Sequence, residues 1–115
     1  HAIPRMVEQE GGGTLLFVSS RSAREGRAGH VGYAVSKAGL LTLAEGIAEE
    51  YGAEGIRANA ILPGTMDTEG NRQAMPDADR SGWVSPEEVA RVLLFLASPA
   101  AAAVNGAAIP VYGRG

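Results

Sequence analysis

The sequence predicts an α/β fold, with three parallel strands and flanking helices. Three observations predict it. Apolar runs at Thr14–Val18, Ile56–Leu62 and Ala107–Val111 read as strands. Segments of helical period separate them, so strand and helix alternate as a parallel sheet requires. A complete helix start, Ser85-Pro86-Glu87-Glu88, precedes the third strand.

Taken in order, Ala2–Glu10 reads as the tail of a helix, with Ile3, Met6 and Val7 at i, i+3, i+4 and Gly11–Gly13 as its stop. Thr14–Val18 is continuously apolar, the mark of a strand covered on both faces. It ends at Ser19-Ser20, and the carboxyl ends of strands are where ligands bind in open α/β sheets. Arg21–His30 is polar and rich in glycine, arginine and alanine, and reads as a loop. Its Arg21, Arg24 and Arg27 face either solvent or an anionic substrate, with solvation the simpler reading. His30 reads as a histidine on a pocket rim.

Gly32–Tyr51 is helical, with Leu40, Leu43, Ala44 and Ile47 as its apolar stripe. Its many small residues permit close approach by another backbone, either the sheet or a second subunit. Gly52 and Gly55 end it. The second strand runs into Pro63-Gly64, which reads as a turn. Glu69–Trp83 lacks periodicity and reads as a loop, functional or mobile. Met75 and Trp83 are its candidates for lining a substrate pocket, and Trp83 serves equally well as an anchor for the loop. In the helix after Ser85, Val89, Val92, Leu93 and Leu96 form the buried stripe and Pro99 is the stop.

The residues that suggest chemistry are Ser20, Tyr33 and Lys37. Positions i and i+4 of a helix share a face, so Tyr33 and Lys37 point the same way. A phenol beside a fixed ammonium has its ionised form favoured. A hydroxyl at the strand end can hold a carbonyl oxygen within reach of that phenol. The implied chemistry is proton transfer at an alcohol or carbonyl oxygen. Taken alone, the Tyr/Lys pair is equally an exposed i, i+4 contact, and a serine at a strand end is commonly a turn residue.

Composition sets the bounds. At 115 residues, 45% hydrophobic and 20% charged, the chain makes one globular domain at most. A net charge of -3 gives no general attraction to nucleic acid or anionic membranes. Without cysteine there is neither a disulfide framework nor a thiolate metal site, and a cytoplasmic location is expected. No apolar run approaches the length of a membrane span.

The segment Tyr33-Ala34-Val35-Ser36-Lys37-Ala38-Gly39, with Ser20 upstream, resembles the active-site pattern of the short-chain dehydrogenase/reductase family. A second likeness is Arg57-x-Asn59 leading to Pro63-Gly64, with Thr68 four residues after the glycine. The resemblance runs from about residue 11 to the end. It implies Ser20, Tyr33 and Lys37 as catalytic residues and NAD or NADP as cofactor. It also implies cofactor contacts from Tyr33, Lys37, Pro63, Gly64, Met66 and Thr68. Substrate contacts fall to Ser20, Met75 and Trp83, with no metal. A small alcohol or carbonyl substrate is implied, with a homodimer or homotetramer formed through the Gly32–Tyr51 helix. At the end of the chain Tyr112 stands where the family commonly has aspartate, and Arg114 separates the last glycines.

The family's glycine-rich cofactor turn after a first strand is absent, because Gly11–Gly13 follows a helix and precedes a strand. The tetrad asparagine is absent too. Residues 1–115 therefore read as the C-terminal half of a doubly wound Rossmann-type sheet, a fragment of a longer oxidoreductase. A free half-sheet would be poorly stable. The competing expectation is a catalytically inactive fragment or truncated paralogue that acts as a subunit-interaction module.

Overall fold

The computed structural model describes residues 1–25 and 29–114. Arg27, one of the loop cations, lies outside them. Strands β1 (Gly13–Val18), β2 (Ile56–Pro63) and β3 (Ala108–Val111) form one parallel sheet in the order β1-β2-β3. Leu15 lies beside Ala58 and Phe17 beside Ala60, while Ile61 pairs with Ile109 and Pro63 with Val111. The α/β expectation is met, with four α-helices among the described residues: α1 (Ala2–Glu8), α2 (Val31–Tyr51), α3 (Glu69–Ala74) and α4 (Pro86–Ala97).

Strand β2 organises the core because its alternate residues serve two different layers. Ile56, Ala58 and Ala60 meet Ala44 and Ile47 of α2. The small side chains on both sides let helix and sheet approach closely. Ile61, on the other face, packs with Val84, Val89, Leu96 and Val111, which brings α4 against the sheet. Nearly all of β2 is buried, whereas β1 is half-buried and ends with Val18 exposed. Cover on both faces thus holds for β2 and not for β1, which has a strand neighbour on one side among the described residues.

Arg57 and Asn59 sit on the α4 face of β2 and satisfy backbone groups there. The Arg57 guanidinium donates to Leu96 O at 2.9 Å and Ala101 O at 3.0 Å, with longer contacts to Val104 O (3.4 Å) and Ser98 O (3.5 Å). It adds a charged donor to carbonyls at the end of α4 and in the following turn, where Ala101 O and Ser98 O also accept backbone amides, and a cation is favourable there. Asn59 is fully buried, donates to Val104 O and accepts from Ala107 N. The Asn105 side chain accepts from Ala58 N at 2.9 Å. These bonds hold β3 in place on its approach to the sheet.

Helix α4 begins as its sequence requires. Ser85 accepts from the Glu88 amide, and the Glu88 carboxylate accepts from the Ser85 amide. That second bond holds the Glu88 carboxyl below its ordinary range.

Three further expectations need correction. Leu43 is exposed at 48% and lies off the buried stripe of α2, which runs through Leu41, Ala44, Ile47 and Tyr51. The helix is apolar on two faces, and periodicity alone could not say which meets the sheet. Pro63 is the last residue of β2, not a turn residue, and Gly64 bonds onward to Val111 O. The segment after Thr68 is not all loop. Thr68 caps α3 by accepting from Asn71 N at 3.1 Å, and this capped turn carries no apolar period to betray it.

Candidate active site

The end of β1, the first turns of α2 and the exit from β2 surround a cleft of about 730 Å³. Ser20, Tyr33 and Lys37 line one side of it, and Pro63, Gly64, Met66 and Met75 the other. Thr68 and Trp83 are not among the lining residues. Thr68 sits at the start of α3, and Trp83 is half-buried in the turn before α4, its amide bonded to Arg80 O. His30 and Arg21 also face the cleft, and no carboxylate lines it among the described residues.

Ser20 follows β1 directly and starts a short 3-10 turn, Arg21–Ala23. Its hydroxyl oxygen accepts from Ser22 N at 3.2 Å. That leaves the hydroxyl proton free to be donated, since a hydroxyl both gives one bond and accepts two. Tyr33 lies in the first turn of α2, half exposed to the cleft. Lys37 lies one turn on, with its Nζ 5.6 Å from the centre of the Tyr33 ring and 3.3 Å from Val18 O. The i, i+4 argument from sequence therefore holds in three dimensions.

The far wall is built by the exit from β2. A Cβ added at Gly64 would stand 3.2 Å from the Tyr112 backbone, so the chain passes Tyr112 at close range there. The Met66 carbonyl accepts from Thr68 N at 2.9 Å and from the Asn71 side chain at 2.8 Å. Met66 forms a short parallel bridge to Val84, which ties this wall to the base of α4. Arg72 of α3 holds Asp67 through two bonds of 2.6 and 2.9 Å, and this pairing keeps the Asp67 carboxyl below its ordinary range. On the near side the Arg21 guanidinium lies 4.5 Å above the Tyr112 ring and 2.9 Å from Glu25. Tyr112, the departure at the chain's end, thus contacts the loop that follows Ser20.

Sequence reasoning missed Ser19 and Asn71 as cleft residues. Asn71 was invisible because α3 was. Ser19 was passed over as one of two adjacent serines, the signal resting on the spacing from Ser20 to Tyr33.

The donor set suits a nicotinamide nucleotide and an oxygen-bearing substrate. An ammonium, a hydroxyl proton and a phenol converge on one cleft, with no competing carboxylate among the described residues. No group of side chains suited to hold a metal occurs among the described residues, and no helix there is long and apolar enough to cross a membrane.

Comparison with known proteins follows the same line. Residues 1–113 match the family model described as Enoyl-(Acyl carrier protein) reductase. The chain is 38% identical over 122 residues to an L-rhamnose 1-dehydrogenase (NAD(P)(+)) of Azotobacter vinelandii, covering 97% of this chain and 48% of that protein. It is 36% identical over 121 residues to a 3-oxoacyl-(acyl-carrier-protein) reductase of Pseudomonas aeruginosa, covering 97% and 49%. Among solved structures it superposes with a TM-score of 0.82 at 32% identity on a 7α-hydroxysteroid dehydrogenase complexed with NADH and 7-oxo glycochenodeoxycholic acid, covering 98% and 48%. The chain spans about half the length of the curated relatives it matches.

Proposed function

This chain belongs to the short-chain dehydrogenase/reductase family, and from that premise we propose that its cleft carries the acid/base chemistry of an NAD(P)-dependent oxidoreductase. The observation that carries the reading is the meeting of Ser20, Tyr33 and Lys37 in one cleft, with the Lys37 ammonium beside the Tyr33 ring. The cofactor, when bound, supplies or accepts hydride. Tyr33 gives a proton to the substrate oxygen during reduction and takes it back during oxidation. Lys37 stands beside that phenol and would offer donors to the cofactor ribose. Ser20 donates its free hydroxyl proton to the substrate oxygen and so orients it toward Tyr33.

The exit from β2 serves the nicotinamide end of the site. Pro63 and Gly64 shape the wall, the Met66 backbone would meet the carboxamide, and Thr68, which caps α3 outside the cleft lining, would offer its hydroxyl proton nearby. Met75, exposed on the cleft side, contacts the substrate, and Trp83 steadies the segment that bears it. The chain supplies the C-terminal half of the dehydrogenase domain. A dimer or tetramer would use the outward face of α2, where Val35 and Leu43 are exposed and the glycines at 39 and 46 leave open space. A cytoplasmic setting fits the cysteine-free composition.

The test is turnover by the protein that carries this chain. L-rhamnose, acetoacetyl-CoA and a 7α-hydroxysteroid would be offered with NAD and NADP in both redox states, following absorbance of the reduced nicotinamide. Turnover of at least one class supports the reading. No turnover and no nucleotide binding would leave the interaction-module alternative in its place.

A further inference from the structure

We propose that Ser19, the residue before the substrate-orienting serine, is a positioning residue that sets the register between the two halves of the active site. The inference rests on the oxidoreductase reading above and adds a residue to it. One half is the strand end that bears Ser20; the other is the helix face that bears Tyr33 and Lys37. They belong to different elements, β1 and α2, so a bond between the two elements bears directly on their spacing.

The Ser19 side chain closes that gap. Its hydroxyl donates to the backbone carbonyl of Lys37 at 2.7 Å, a short bond across 18 residues of sequence. Its amide donates to Ile61 O at 2.8 Å, which fixes the Ser19 backbone to β2. Ser19 is 4% exposed, so water does not compete for this bond. The residue before it acts on the same target, because Val18 O accepts from Lys37 Nζ at 3.3 Å. The carboxyl end of β1 therefore holds Lys37 at two points, its backbone and its ammonium.

This arrangement separates Ser19 from its neighbour. The Ser20 proton is free for a substrate, whereas the Ser19 proton is already given to the helix. Lys37 O lies inside α2, where the ladder of the helix already uses it. A second donor there is not needed to satisfy the carbonyl, and removing it orphans nothing. What it does is locate the carbonyl relative to β1. Sites of this kind need their groups within about 0.5 Å of the productive geometry, and a misplacement of ~1 Å can cost ~100-fold in rate.

The experiment compares Ser19→Ala, Ser19→Thr and Tyr33→Phe with the unaltered protein, using L-rhamnose with NADP and acetoacetyl-CoA with NADPH as probes. Ser19→Ala is expected to lower kcat about tenfold, with KM for the substrate changed less than about twofold, because the groups that bind remain while their alignment suffers. Ser19→Thr keeps the hydroxyl and recovers most of the lost kcat. If its methyl does not fit, Ser19→Cys, near in shape with a weak S–H donor, should fall between serine and alanine. A kcat for Ser19→Ala within twofold of the unaltered protein overturns the proposal. So does a loss that neither hydroxyl nor thiol restores, or one that falls on KM alone. Tyr33→Phe tells the two claims apart. If it is inactive while Ser19→Ala is normal, only the Ser19 inference fails. If Tyr33→Phe stays active, or the unaltered protein binds no nucleotide and turns over neither these probes nor a 7α-hydroxysteroid, the oxidoreductase reading fails and the Ser19 role with it.

Discussion

Replacing Arg57 by methionine should unfold the protein more easily by about 3 kcal/mol, without removing any residue that lines the cleft. The figure follows from the bonds. The guanidinium makes two good ones, to Leu96 O at 2.9 Å and Ala101 O at 3.0 Å, and two long ones to Val104 O and Ser98 O. A bond from a charged donor contributes about 1.5–3 kcal/mol, and the low end applies because Ala101 O keeps its bond from Val104 N when the guanidinium is gone. Two such bonds give ~3 kcal/mol, and the long pair adds little. Methionine keeps most of the apolar stem, so the loss reports the head group. Urea unfolding followed by circular dichroism is the assay. With a slope of about 2 kcal/mol per molar, the midpoint should fall by about 1.5 M. A fall below about 0.5 M would refute the claim that Arg57 holds the end of α4. Arg57→Lys should lie between the two, since an ammonium cannot span the same four carbonyls.

Other consequences are as direct. Leu96→Ala, at a fully buried site between β2 and α4, should cost ~2–5 kcal/mol in the same urea assay. Gly12→Ala should also destabilise, by ~1–3 kcal/mol, because Gly12 has φ +71° and an added Cβ would strike the Gly55 carbonyl. The capping box gives a pH dependence. The bond from the Ser85 amide lowers the folded Glu88 carboxyl, so its contribution is present above the ordinary value of 4.5 and fades as pH falls through and below it. Thermal unfolding of the native protein should therefore lose more stability on acidification than that of Glu88→Gln, whose side chain keeps an acceptor and cannot titrate. Ser85→Ala should cost about 1 kcal/mol at neutral pH.

The parts legible in the sequence are those whose cause is local. The capping box at Ser85 and Glu88, the apolar run of β2 and the shared face of Tyr33 and Lys37 all follow from residues a few positions apart. Arg57 and Asn59 were readable only as pieces of a resemblance, because their partners are backbone groups 39 to 48 residues away. Leu43 misled because α2 is apolar on both faces. Helix α3 was hidden because a short polar helix depends on Thr68 as its cap and on the Asn71 and Arg72 bonds to the segment before it. Ser19 and Ser20 look alike in sequence, and only the destination of each hydroxyl separates them.

The central claim is that Tyr33 moves the proton at the substrate oxygen. Its most direct test is the turnover of Tyr33→Phe beside the unaltered protein, on whichever substrate the latter uses. Phenylalanine keeps the ring near Lys37 and removes only the ionisable oxygen. The account predicts that nucleotide binding survives while kcat falls by ~100-fold or more, the scale of positioned acid/base catalysis. A Tyr33→Phe protein that retains more than about a tenth of the rate would contradict it, and the proton would have to come from another group in the cleft.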